Sequence, residues 1–196
     1  MGGEGDGRLV DGLAFVGDRQ HYYDPANSLL PSVLDRRRGI PISLSVLTMG
    51  VARRVSVPVD GVAMPGHFLL RDRVDPTLFV DAFNGGVVLD ERGCGERLKE
   101  IQGPDARLDP DWLEPVPPTA ILVRMLTNLR LIHRQTGDRA ALGAVLELLT
   151  VLPHGDDVVA ERAELLAAQG RFDLAADLHE QLDDGSRAQA LRARLN

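Results

Sequence analysis

Lysine is almost missing from this chain: Lys99 stands alone among 22 basic residues, and the rest are arginine. Such a bias reads as base composition of the genome rather than as chemistry. Cysteine is as rare. The single Cys94 excludes an intramolecular disulfide and any cysteine-based zinc knuckle. A positive charge excess is missing too. Acidic residues number 29 and the net charge is −7, so bulk attraction to nucleic acid or to an anionic membrane is not expected. No apolar run approaches the roughly 20 residues that span a bilayer. The opening MGGEGDGRLVDG has neither a basic stretch nor an apolar one, so it does not read as a signal peptide, and it matches a myristoylation signal poorly. Aromatic residues are few, and Tyr22-Tyr23 and Trp112 read as packing. There is no glycine-rich phosphate loop. His21, His133, His154 and His179 are scattered, with no metal-ligand spacing between them. Neither a cofactor nor a metal is expected. A soluble cytoplasmic protein is the expectation.

What the chain does have is enough apolar material for a core. Hydrophobic residues make up 44% and charged residues 26% of 196 positions, which argues against disorder. The length suits one medium domain or a core with an appendix. The basic runs Arg36–Arg38 and Arg53-Arg54 read as solvated helix ends.

Along the chain, residues 1–20 are glycine-rich and polar, and poor order is expected there. Asn27 or Ser28 can cap a short helix over residues 29–37, which Gly39 breaks. Pro41 suits the first position of a second helix. That helix is apolar on most sides, through Ile42, Leu44, Val46, Leu47, Val51 and Val55, and is expected to be buried. The period then changes. Residues 57–64, 67–71 and 77–83 read as strands, separated by Pro65-Gly66 and closed by Asn84-Gly85-Gly86. A short piece over 87–89 leads into a helix around 90–101. Five prolines between Gly103 and Pro118 mark a linker over 104–118. Everything from 119 to 196 reads helical, with breaks at Gly137, Pro153, Gly170 and Gly185. Gly137 and Gly170 lie 33 positions apart, near the tetratricopeptide period of about 34.

Residues 21–103 therefore read as a buried helix followed by an antiparallel meander, an α+β core. Pro41 begins the helix, His67 begins a strand and Asp81 ends the next. A cysteine hydrolase of the papain or transglutaminase kind needs the same order. Its thiol sits at the N-terminus of a buried helix, a histidine on a strand is the base, and a carboxylate on the next strand orients that base.

The runs YYDPANSLLPSVLDRRRGIPISLSVLTMGVARR, GVAMPGHFLLR and FVDAFNGG resemble the bacterial SirB-type proteins of the transglutaminase-like superfamily. The resemblance covers roughly residues 20–185. It implies a transglutaminase-like, papain-like core followed by an all-α appendix of tetratricopeptide-like repeats. It implies little about activity. Two departures stand out: Asp81-Ala82-Phe83 where such proteins usually read Asp-Pro-Phe, and no match to a further helical segment with which they tend to begin.

Active enzymes of that superfamily begin the helix Gly-x-Cys. This chain reads Gly39-Ile40-Pro41, and proline offers neither a nucleophile nor an N–H. Cys94 lies after the sheet in a polar stretch and reads as a packing or surface thiol. Ser43, one turn into the helix, would give a Ser43–His67–Asp81 triad, but a serine inside a helix more often bonds a carbonyl of the previous turn. The first reading of His67 and Asp81 is thus a relic dyad pinning two strands. A retained binding pocket comes second and residual catalysis third. The expected function is non-catalytic and regulatory: a protein or peptide partner bound through the helical appendix, with no nucleic acid and no membrane. The alternative is a hydrolase or acyltransferase using Ser43 or Cys94 with His67 and Asp81.

Overall fold

The computed structural model describes residues 15–195. The chain divides into two compact units, the first ending at Ile121 and the second beginning at Leu122. The first is a mixed α+β core with an antiparallel sheet, and the second is all-helical.

The first unit opens with β1 (Val16–Gly17), which pairs in parallel with β2 (Arg38–Gly39). Between them lie a 3₁₀ turn over Pro25–Asn27 and the short helix α1 (Leu30–Arg36). Poor order was expected over residues 1–20. Residues 1–14 lie outside the described part, but residues 15–20 carry defined structure. Val16 N–H donates to Arg37 O and Asp18 N–H to Gly39 O. The glycine that read as a sign of looseness has a steric purpose. A Cβ on Gly17 would sit 2.6 Å from the Phe83 ring and 2.7 Å from the Phe83 carbonyl oxygen.

Capping also differs from expectation. Neither Asn27 nor Ser28 caps α1, whose N-cap is Leu29 with no side-chain bond. Asp24 caps the 3₁₀ turn instead, accepting from Ala26 N–H at 2.9 Å. Asn27 is buried and bridges: its amide donates to His21 O at 2.7 Å and accepts from Arg36 at 2.6 Å. Arg36 also reaches Asp24 at 2.8 Å, so this arginine belongs to a polar network rather than to a solvated helix end.

The helix α2 (Pro41–Arg54) follows. It is buried along Pro41–Ser45, but Val51 and Val55 are 57% and 63% exposed. The helix lies in the core with its N-terminal half, and its other half is partly exposed, with Ala52 still buried. Its inner end packs on the sheet, whose strands are β3 (Val59–Val62), β4 (Leu69–Asp72), β5 (Phe79–Asp81) and β6 (Val87–Leu89), hydrogen-bonded in that order and all antiparallel. The helix α3 (Glu91–Gln102) is capped by the Asp90 side chain and closes one apolar cluster. That cluster gathers Val62, Met64, Leu69, Phe79, Cys94, Leu98 and Leu113. A second cluster joins Val33 of α1, Leu44 of α2 and Phe83.

The proline-rich stretch at 104–118 is packed rather than a free linker. Pro110–Leu113 forms a 3₁₀ turn, Leu113 enters the core, and Ala106 and Leu108 pack against it. Val116 N–H donates to Gly61 O, and Pro115 bridges to Val62. Proline suits that place because an edge position needs no outward N–H.

The second unit is built on α4 (Pro118–Thr136, which begins in the first unit), α5 (Arg139–Leu149), α6 (Asp156–Ala168), α7 (Phe172–Gln181) and α8 (Gly185–Arg192). From α5 onward each helix packs on the next. Leu129, Leu142, Val145, Leu146, Leu149 and Val158 make one core. Alanine and leucine from α7 and α8 make another. Gly137 and Gly170 take φ of +71° and +78° between helices, which glycine adopts without the strain a Cβ brings.

Candidate functional site

The site grows out of strand register. In β4–β5, Leu70 pairs with Val80 and Arg71 with Phe79. One more step of that antiparallel register sets residue 69 opposite Asp81, and His67 lies two residues further on the same face. Diagonal neighbours of this kind are within side-chain reach. His67 is held by a turn, with its N–H donating to Met64 O at 3.0 Å. That turn needs Gly66, whose φ is +73°. So His67 stands just before the strand it was expected to begin, and Asp81 ends its strand as expected.

His67 Nε2 lies 2.9 Å from Asp81 Oδ1, with the two residues 3% and 0% exposed. The short separation makes this a close polar contact between two buried side chains. The other carboxylate oxygen has two partners. Asn84 Nδ2 donates to Oδ2 at 2.6 Å, and Arg97 Nε lies 3.0 Å from it. Asn84 N–H also donates to Oδ1 at 3.2 Å. Burial alone would push the Asp81 carboxyl up. His67, Asn84 and Arg97 outweigh it and hold the group below its ordinary value.

His67, but not Asp81, borders an open cavity of about 530 Å³. Pro41, Gly66, His67 and Phe83 line it, with Tyr22, Tyr23, Ile101 and the charged Arg19, Arg97 and Glu100 around them. Phe83 is the hinge of the aromatic wall. Its ring meets those of Tyr22 and His67 edge-on, at centroid distances of 6.3 and 6.0 Å.

Pro41, at the first turn of α2, shares this cavity with His67. The serine and the cysteine considered as nucleophiles do not line it. Ser43 is fully buried, and its hydroxyl is already used: it donates to Asn27 O at 2.6 Å and accepts from Ile40 N–H at 3.1 Å. Cys94 is fully buried in the apolar cluster. Burial first, then the nearby Asp90, Asp81 and Glu91 carboxylates, push its thiol up to about 12. A thiol so protonated is a poor nucleophile at neutral pH. The structure thus brings His67 and Asp81 together and leaves Ser43 and Cys94 off the cavity that His67 lines.

Three participants escaped the sequence reading. Asn84 read only as a turn residue, though the spacing Asp81–Asn84 is that of an aspartate capping its own turn. Arg97 lies in a polar helix with nothing to mark it. Arg19 fell inside the stretch expected to be poorly ordered. Among the described residues no group of three His, Cys, Asp or Glu side chains could hold a metal ion, and no helix is long and apolar enough to cross a membrane.

This layout, a helix N-terminus facing a histidine and aspartate on adjacent antiparallel strands, is that of a transglutaminase-like protein. Residues 8–127 match the transglutaminase-like superfamily, and the chain belongs to it. Among relatives, a UPF0162 protein of Xylella fastidiosa (strain 9a5c) is 42% identical over 160 residues, covering 79% of this chain and 57% of that one. A UPF0162 protein of Pseudomonas aeruginosa is 39% identical over 134 residues, covering 68% and 49%. F-box only protein 21 of Mus musculus is 42% identical over 96 residues, covering 44% of this chain and 15% of that protein. The chain spans about half the length of the curated UPF0162 relatives named here. No solved structure matches it.

Proposed function

We propose that this is a non-catalytic, SirB-type member of the superfamily, working in the cytoplasm by binding rather than by acyl transfer. One observation carries the reading: Pro41 occupies the helix start that faces His67 across the cavity. A thiol enzyme needs two things from that position, a nucleophile and a backbone N–H to help hold an oxyanion. Proline has neither. His67 and Asp81 then serve to join β4 to β5 and to shape the cavity wall. The competing reading, a hydrolase or acyltransferase using Ser43 or Cys94, requires a buried side chain outside the cavity to leave its partners.

The second unit is the proposed docking surface for a protein or peptide. Its consecutive packed helices, with positive-φ glycines 33 positions apart in sequence, support a tetratricopeptide-like arrangement, and stacked hairpins of that kind offer extended peptide-binding surfaces.

The test of the non-catalytic part is ester and amide hydrolysis by the whole chain beside His67→Ala. Equal rates are expected. Saturable turnover that disappears in His67→Ala and in Asp81→Asn would sink the proposal. For the partner, peptides selected from a library on the full chain are expected to lose binding to a chain ending at Ile121. Equal binding to both would move the docking surface to the first unit.

A further inference from the structure

The cavity beside His67 has an uneven distribution of charge. Arg97 is satisfied twice over, by Asp81 at 3.0 Å and by Glu100. Arg19 is not. Its guanidinium donates to Asn84 Oδ1 and lies 5.1 Å from the centre of the Phe83 ring. Both partners are neutral. Among the described residues no carboxylate comes within ion-pair distance of Arg19. A long exposed side chain is thereby oriented at the cavity, with no carboxylate partner among the described residues. Asn84 can hold it because its own amide is oriented from the other side, donating to Asp81 at 2.6 Å. The dyad, Asn84 and Arg19 form one polar relay that ends at the cavity.

The remaining lining is apolar and flat: Phe83, Tyr22, Tyr23, Pro41 and Ile101. We propose that this cavity binds a monoanionic carboxylate attached to a flat apolar group, with the carboxylate on Arg19 and the flat part on the Tyr22–Phe83 wall. A planar guanidinium matches a carboxylate with two parallel hydrogen bonds. A dianion such as a phosphate monoester fits worse, because the Glu100 carboxylate lines the same cavity and repels the second charge. The carboxylate can come from a free small acid or from the C-terminus of a peptide, and the chemistry at Arg19 is the same. This inference rests on the binding reading above.

The experiment is calorimetric titration of the full chain with N-acetylphenylalanine and with its amide. A hexapeptide ending in phenylalanine is the second arm, as free acid and as C-terminal amide. The acid is expected to bind about tenfold more tightly than the amide, the worth of a charge-assisted hydrogen bond. Arg19→Gln should erase that difference with an unchanged thermal melt, since the side chain is exposed. Glu100→Gln should strengthen acid binding a few-fold. Tighter binding of the peptide acid than of the single residue marks a chain terminus as the source, and equal binding marks a small acid. Equal affinity for acid and amide, unchanged affinity in Arg19→Gln, or no saturable binding at millimolar concentrations overturns the inference. Ester turnover by the wild type would instead strike the non-catalytic reading, and the Arg19→Gln comparison would still decide this one.

Discussion

His67 Nε2 stands 2.9 Å from Asp81 Oδ1, between two side chains that are almost wholly out of solvent. Removing one member of such a buried pair leaves the other desolvated without its partner, a loss of about 3–5 kcal/mol. Asp81→Ala should fall in that range in urea denaturation and Asp81→Asn somewhat below it, because an amide still offers an acceptor to Asn84 and Arg97. A loss under about 0.5 kcal/mol in Asp81→Ala would mean the pair contributes nothing to the fold.

The pH dependence follows from the same contact. The Asp81 carboxyl is held below its ordinary value of 3.8. The unfolded chain therefore binds that proton first as pH falls. The stabilisation is fully present well above 3.8 and disappears as pH drops through the lower native value. Stability measured from pH 6 downward should fall less steeply below about pH 4 in Asp81→Asn than in the wild type. Parallel curves would contradict this assignment.

Cys94 gives the opposite sign. Its thiol is pushed up from 9.0 to about 12. Between those values the unfolded chain ionises and the native one does not, so stability is lost as pH rises from about 9 towards 12. Alkylation at pH 8 should label Cys94 only when denaturant is added. Rapid labelling of the native protein would show that the thiol reaches solvent.

Two glycines are tied to the site by steric closeness. A Cβ on Gly17 would meet the Phe83 ring and its carbonyl oxygen. Gly66 combines φ of +73° with a Cβ position 2.8 Å from Ile101 Cγ2. Gly17→Ala and Gly66→Ala should each lower stability by about 1–3 kcal/mol. Gly85→Ala also has positive φ but open space around it, and should cost only the backbone strain of about 1 kcal/mol. Equal losses at all three positions would remove the steric part of this argument.

Pro41→Cys places a thiol beside His67 at the start of α2. That thiol should alkylate faster at pH 7 than an unperturbed cysteine, and the excess should vanish in Pro41→Cys with His67→Ala. No excess would mean that His67 does not face the helix start.

Much of the first unit was legible because periodicity is local. Alternating strands around Pro65-Gly66, a helix opening at Pro41 and a break at Gly39 leave their marks within a few residues of each position. The order of Pro41, His67 and Asp81 followed from those marks, and so did the lack of a nucleophile at the helix start. The proline-rich stretch misled for a physical reason. Proline signals where a strand ladder is not continued, and an edge packed against a sheet satisfies that condition as well as a free linker does.

The sequence by itself determined what stands at the start of α2, since no folding can give Pro41 a thiol or an N–H. It also determined most of the longer helices and the strands of the meander, whose preferences reside in short windows. Tertiary structure decided everything that depends on long-range approach. It buried Ser43 and Cys94 away from the cavity. It brought Arg97 to Asp81 and Arg19 to Asn84 across 16 and 65 positions of chain. Such contacts leave no periodic trace, because they are fixed by how the sheet, α3 and the N-terminal strand pack and not by the residues next to them.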